Sequence, residues 1–161
     1  MKTRFCLSAV LFALMLDAAA LQSQQLTVQI DTGKQVVLTR ADIEALPRAK
    51  VTTGTSEIPV TFEGVSLKAV LDRAGVAFGE SLKGKRLSSC LLVEAADGYR
   101  VVIALPEIDP AFSDKQILLA FLRNGKQLDD REGPYRIVIP DEKRMARWVK
   151  QVTTLKIANV E

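Results

Sequence analysis

From Leu26 to Asp31 (LTVQID) apolar and polar residues alternate, the period of two expected of a strand with one face in a core. Thr32-Gly33-Lys34 interrupts the run and Gln35 to Leu38 resumes it, which predicts a hairpin. Thr39 then offers a side-chain oxygen to a short helix, with Asp42 three residues on, and the helix must end before Pro47. Ala49 to Thr53 and Ile58 to Phe62 predict strands on either side of a Thr-Gly-Thr-Ser loop. At Ser66 the period changes. Leu67, Val70 and Leu71 share one face of a helix from Leu67 to Ala74, capped by Ser66 and stopped by Gly75.

Leu87 to Ala95 and Tyr99 to Leu105 are rich in β-formers, and Asp97-Gly98 between them predicts a second hairpin. Ile117 to Leu122 (ILLAFL) shows no alternation at all, which suits a strand buried on both faces, and Asn124-Gly125 turns the chain after it. A polar loop from Lys126 to Gly133 leads to a strand at Tyr135–Ile139, and Val152–Val160 forms the last one. The pattern is that of a single β-rich α+β domain with short helices between strands.

That domain begins after a removable segment. Lys2 and Arg4 precede an apolar run from Phe5 to Leu16, and Ala18-Ala19-Ala20 supplies small residues at cleavage spacing. Residues 1–20 therefore predict a secretory signal peptide, with residues 21–161 as the domain and a periplasmic or secreted destination. Cys6 lies too early to be a lipid-modified cysteine at the cleavage site. No later segment is apolar for the length a membrane span needs, so no insertion is expected after cleavage.

Composition then removes whole classes of chemistry. Losing Lys2, Arg4 and Asp17 takes the net charge from +3 to +2, too little to steer the domain onto nucleic acid. Only Cys90 remains, so no intramolecular disulfide can form. The chain contains no histidine. Zinc sites of the His/Cys kind, Ser-His-Asp triads and Cys-His pairs are thereby excluded. No G-x-G-x-x-G or Walker loop occurs either. Neither zinc, haem nor NAD is expected.

Cations gather near the C-terminus instead, where Lys143, Arg144, Arg147 and Lys150 surround Trp148. A helix there would put Lys143, Arg147 and Lys150 on one face, either an inert solvated surface or an anion site. Arg136 lies on an apolar strand, where an unpaired charge is costly. It must face solvent, pair with an acid such as Asp130 or Glu132, or hold a ligand. Trp148 either plugs the core or stacks on that ligand. Cys90 is read as a small buried hydrophobe, with a free redox or pairing thiol as the alternative.

Four phrases resemble a known family: FEGVSLKAVLDRAGV (Phe62–Val76), ADGYRVVIALPE (Ala96–Glu107), ILLAFLRNGKQLDDREGPYRIVIP (Ile117–Pro140) and RWVKQVTTLKI (Arg147–Ile157). Together they resemble the oxidoreductase molybdopterin-binding domain of sulfite oxidase, assimilatory nitrate reductase and the periplasmic protein-methionine-sulfoxide reductase. The resemblance implies a sulfite-oxidase-type fold and a pterin whose phosphate is held by basic side chains. It places Arg136, Arg147 and Lys150, helped by Lys143 and Arg144, on the cofactor-binding side. It also implies a cysteine thiolate on molybdenum, about where Thr52 to Ser56 (TTGTS) stand here without sulfur. Two functions follow. One is a molybdopterin-type oxidoreductase lacking the usual metal ligand, its basic lobe holding a pterin or another anionic small molecule. The other is a non-catalytic periplasmic module that binds or senses, with a periplasmic or membrane-bound partner protein.

Overall fold

The computed structural model describes residues 24–55, 57–140 and 142–159. The expected signal segment, Ser56, Asp141 and the end of the last strand at Val160 lie outside the described residues.

The alternation at the start of the chain becomes β1 (Leu26–Gln29), with Leu26 and Val28 fully buried. It pairs antiparallel with β2 (Gln35–Leu38), as the hairpin pattern requires. Thr39 and Asp42 then form the reciprocal cap of α1 (Arg40–Glu44): the Asp42 N–H donates to Thr39 Oγ1, while Thr39 N and Oγ1 donate to Asp42 Oδ2. β3 (Arg48–Gly54) and β4 (Pro59–Ser66) pair antiparallel, with Val51 opposite Phe62 and Thr52 opposite Thr61. α2 (Leu67–Ala74) buries Leu67, Val70, Leu71 and Ala74 and ends at Gly75 in a left-handed conformation. Ser66 stands at its N-cap, yet its side chain makes no capping bond.

β5 (Ser89–Ala95) and β6 (Arg100–Ala104) form the second hairpin. Two boundaries differ from the pattern. Residues Gly84–Ser88 wind into a 3-10 turn ahead of β5, and Leu105–Ile108 forms α3, where Pro106 in the first turn suits a helix better than a strand. β7 (Leu118–Arg123) buries four consecutive residues, as its unbroken apolar run predicts. Asn124 and Gly125, at φ of 50° and 75°, turn it into β8 (Lys126–Gln127). β9 (Arg136–Val138) follows the cis peptide Gly133–Pro134, and β10 (Val152–Asn159) closes the chain. Residues 143–150 are not a continuous helix, and only Met145–Arg147 makes a 3-10 turn. A shared helical face for Lys143, Arg147 and Lys150 therefore does not exist.

Among the described residues two five-stranded sheets result. One has the order β2-β1-β10-β5-β6, with β10 parallel to β1 and antiparallel to β5. In the other, β3-β4-β7, the far edge of β7 is shared by β8 and β9. Gly64 marks a close backbone approach within it: a Cβ there would lie 2.1 Å from Leu119 O, beside the irregularity in the β4–β7 ladder. The fold is the β-rich α+β arrangement expected, with mixed sheets and short helices.

Candidate functional site

Arg136 opens β9 and pairs with Ala120 of β7, so its side chain starts from the middle of a sheet. Its guanidinium stays inside, over the Phe62 ring at 5.1 Å and the Trp148 ring at 5.6 Å. Such a charge is tolerable only with a partner. Glu132 provides it, four residues earlier, with Oε1 2.5 Å from Arg136 Nη1. Of the three fates open to Arg136, pairing with Glu132 is the one observed.

The same oxygen serves two further cations. Arg123 Nη1 lies 3.4 Å from Glu132 Oε1 and Lys150 Nζ lies 3.7 Å from it. The exposures grade outward, from 7% for the Arg136 side chain and 9% for Glu132 to 47% for Arg123 and 52% for Lys150. Three positive heads thus converge on one carboxylate oxygen, and Arg136 Nε is buried with no hydrogen-bond partner among the described residues. The backbone fixes this assembly from both sides. The Glu132 N–H donates to Asp129, and the Glu132 carbonyl accepts from the Gln151 N–H, next to Lys150.

Arg147 takes no part in it. Its Nη1 and Nη2 fork onto Glu107 at 3.2 and 3.3 Å, and its Nε donates to Glu142 at 2.6 Å. Burial would raise the Glu107 carboxyl, but hydrogen bonds from Arg147, Lys115 and the Ala104 N–H hold it down at about 2. The same pairs push the Arg147 guanidinium up. This network pins the Met145–Arg147 turn to α3. Lys143 and Arg144 are exposed and make no ion pair among the described residues. Of the five cations singled out from the sequence, the structure joins Arg136 and Lys150, sets Arg147 apart, and leaves Lys143 and Arg144 in solvent.

Trp148 is a core residue. Its Nε1 donates to Ile139 O at 2.9 Å and its ring meets Phe62 edge-on at 6.0 Å. Arg123 was missed by sequence reasoning, and the only local signal was its place between an apolar strand and Asn124-Gly125. Its relation to Phe62 comes from β4–β7 pairing across 61 positions.

Thr53 lies on the same face of β3 as Val51, the partner of Phe62, about 7 Å along the strand from it. Its hydroxyl, like that of Thr52, is used locally: Thr52 and Thr61 hydroxyls are 3.2 Å apart, and Thr53 Oγ1 is 3.5 Å from Val60 O. Cys90 is half-buried on β5 in the other sheet, opposite Ala104 and Ala158. Among the described residues, the cavities of about 510, 350 and 280 Å³ do not join Thr52–Thr55 to Arg136 and Arg147. The smallest is lined by Tyr99, Arg131, Met145, Trp148 and Lys150, beside the cluster. No helix among the described residues is long and apolar enough to cross a membrane.

Comparison with solved structures finds the same fold in the sulfane dehydrogenase SoxCD from Paracoccus pantotrophus. The TM-score is 0.65 at 22% sequence identity, over 86% of this chain. The match spans only 39% of the SoxCD chain. No curated protein sequence matches. The sequence profile described as oxidoreductase molybdopterin binding domain matches residues 15–161, nearly the whole chain. With the two sheets and the cation cluster in place, the chain belongs to the oxidoreductase molybdopterin-binding domain family.

Proposed function

We propose that this chain is an exported, non-redox binding module of its family, taking an anionic ligand where Arg123, Arg136 and Lys150 converge. One observation carries the reading: three cations sit within 3.7 Å of a single carboxylate oxygen, an excess of two positive charges over that carboxylate. An anion would offset their repulsion, and guanidinium forks suit the oxygens of a phosphate. A phosphorylated pterin or a smaller oxyanion would meet that requirement. The apolar run between Lys2 and Ala20 supports export to the periplasm or beyond.

The donor set argues against a metal role. The strand end at Thr52–Thr55 offers hydroxyls, which are far too weakly acidic to replace a thiolate on a soft metal. The sulfur of Cys90 belongs to the other sheet. Among the described residues no three Cys, Asp or Glu side chains gather as a ligand set. The residues present fit a phosphate-like group and not molybdenum, so no redox step is assigned to them. A second reading, a surface for a periplasmic or membrane-bound partner protein with no small ligand, draws on Arg147, whose charge is already spent on Glu107 and Glu142.

Production in a host that makes molybdenum cofactor, followed by metal analysis, tests the reading. The expected result is molybdenum far below stoichiometric. In parallel, phosphorylated pterins or simple oxyanions should raise the melting temperature. Ligand at a hundred times its Kd stabilises by about 2.7 kcal/mol, roughly 5–10 °C for a domain of this size. Near-stoichiometric molybdenum with turnover of a sulfite- or sulfoxide-type substrate overturns it. No shift with any anion, together with a partner recovered by pull-down, favours the second reading.

A further inference from the structure

Resting on the anion-binding reading above, the electrostatics of the cluster go one step further, to which anions it accepts. Glu132 is not a loose surface acid. Its backbone is held by Asp129 on one side and Gln151 on the other, and its side chain is almost wholly buried. Its Oε1 receives all three cations, whereas Oε2 makes no hydrogen bond with a described residue. Arg136 backs the cluster from the core against Phe62 and Trp148, and Arg123 and Lys150 open to solvent. A ligand therefore approaches a pair of accessible cations with a buried third behind them and one fixed negative charge among them.

We infer that Glu132 determines the specificity of this site, holding its charge at +2 so that tetrahedral dianions, a phosphate monoester or sulfate, bind and monoanions are turned away. Three cations less one carboxylate leave two charges for the ligand to cancel. A dianion cancels both. A monoanion leaves one charge uncompensated and also competes with a tethered carboxylate of equal charge, which holds its place at no cost in translational entropy. Glu132 thus acts as a resident counter-ion, and its removal should relax the selection.

The test is titration calorimetry at fixed ionic strength with sodium sulfate, glycerol 3-phosphate and sodium nitrate, because screening would otherwise mask the charge dependence. The native sequence should bind both dianions and not nitrate. Glu132→Gln should bind sulfate about tenfold tighter and gain nitrate binding. Lys150→Met, at an exposed position, should weaken sulfate about tenfold and narrow the gap to nitrate. If Glu132→Gln does not fold, the Lys150→Met comparison decides alone, and an unchanged gap overturns the inference. A Glu132→Gln protein that keeps the native affinities and still rejects nitrate overturns the role of Glu132 while the anion site stands. Failure of all three salts to bind any of these proteins overturns the site as well. Tighter binding of glycerol 3-phosphate than of sulfate points to an ester ligand and the reverse order to a free oxyanion, and both support dianion selection.

Discussion

Replacing Arg147 by Met should destabilise the fold at neutral pH by an amount that fades as the solution is acidified. Arg147 forks onto Glu107, which also receives Lys115 Nζ at 2.6 Å and the Ala104 N–H at 3.3 Å. These bonds overcome burial and bring the carboxyl from its ordinary 4.5 down to about 2. The sign follows from linkage. A carboxylate with a depressed folded-state pKa stabilises the fold fully above pH 4.5 and loses that contribution as pH falls from there through about 2. A shift of about 2.5 units corresponds to at most about 3.4 kcal/mol. The Glu107 side chain keeps 27% of its exposure and Arg147 30%, so solvent screening reduces this to about 1–2 kcal/mol. Lys115 remains in the variant, so Arg147→Met should cost about 1 kcal/mol at pH 7. Urea denaturation of both proteins at pH 7, 4 and 2.5 measures it. The stability difference should shrink steadily below pH 4.5. A difference that stays constant down to pH 2.5 would show that the packing of the Arg147 stem, not its pairing with Glu107, is what the variant lost.

Two other changes probe the scaffold. Gly64→Ala places a Cβ 2.1 Å from Leu119 O and 2.6 Å from Ala120 Cα, both backbone atoms that cannot step aside. It should destabilise by about 3 kcal/mol or more, and a melting temperature within a few degrees of the native value would refute the close approach. Tyr135 is buried and donates to Gln24 O at 2.8 Å. Burial pushes its phenol up to about 12, partly opposed by the Arg40 charge. In a Tyr99→Phe background the remaining phenol should show no ionisation near pH 10, and a rise in absorbance there refutes its burial. Tyr135→Phe should cost about 1 kcal/mol by leaving the Gln24 carbonyl unpaired.

The local elements were legible because each rests on neighbours in sequence. Thr39 and Asp42 cap α1 three residues apart, Gly75 stops α2 in a left-handed conformation, and Asn124-Gly125 adopts the positive φ values its residue types favour. The exceptions are also local. Pro106 converts the end of the β6 run into α3, and residues 143–150, rich enough in helix formers to suggest a face, instead follow the backbone bonds that tie Val149 to Ile137 and Gln151 to Glu132.

The candidate site was half legible. Arg136 was conspicuous because an ionised group on an apolar strand needs an explanation, and Glu132 was among the partners named for it. Arg123 was not, since its role depends on Phe62, which reaches it only through the β4–β7 ladder. Arg147 seemed to belong with Arg136 and Lys150 because all three lie within fifteen residues, yet the turn at Met145–Arg147 aims it at Glu107, forty positions upstream.

Residue order alone therefore determined most of the strands and the two capped helices, the face of each that meets the core, and which chemistries lack their atoms, because these depend on side-chain type and short spacing. Tertiary pairing decided which charges meet. Coulomb attraction and desolvation act through space, and a cation's partner is whichever carboxylate the sheets carry to it, as Glu132 gathers Arg123, Arg136 and Lys150 while Glu107 draws Arg147 away.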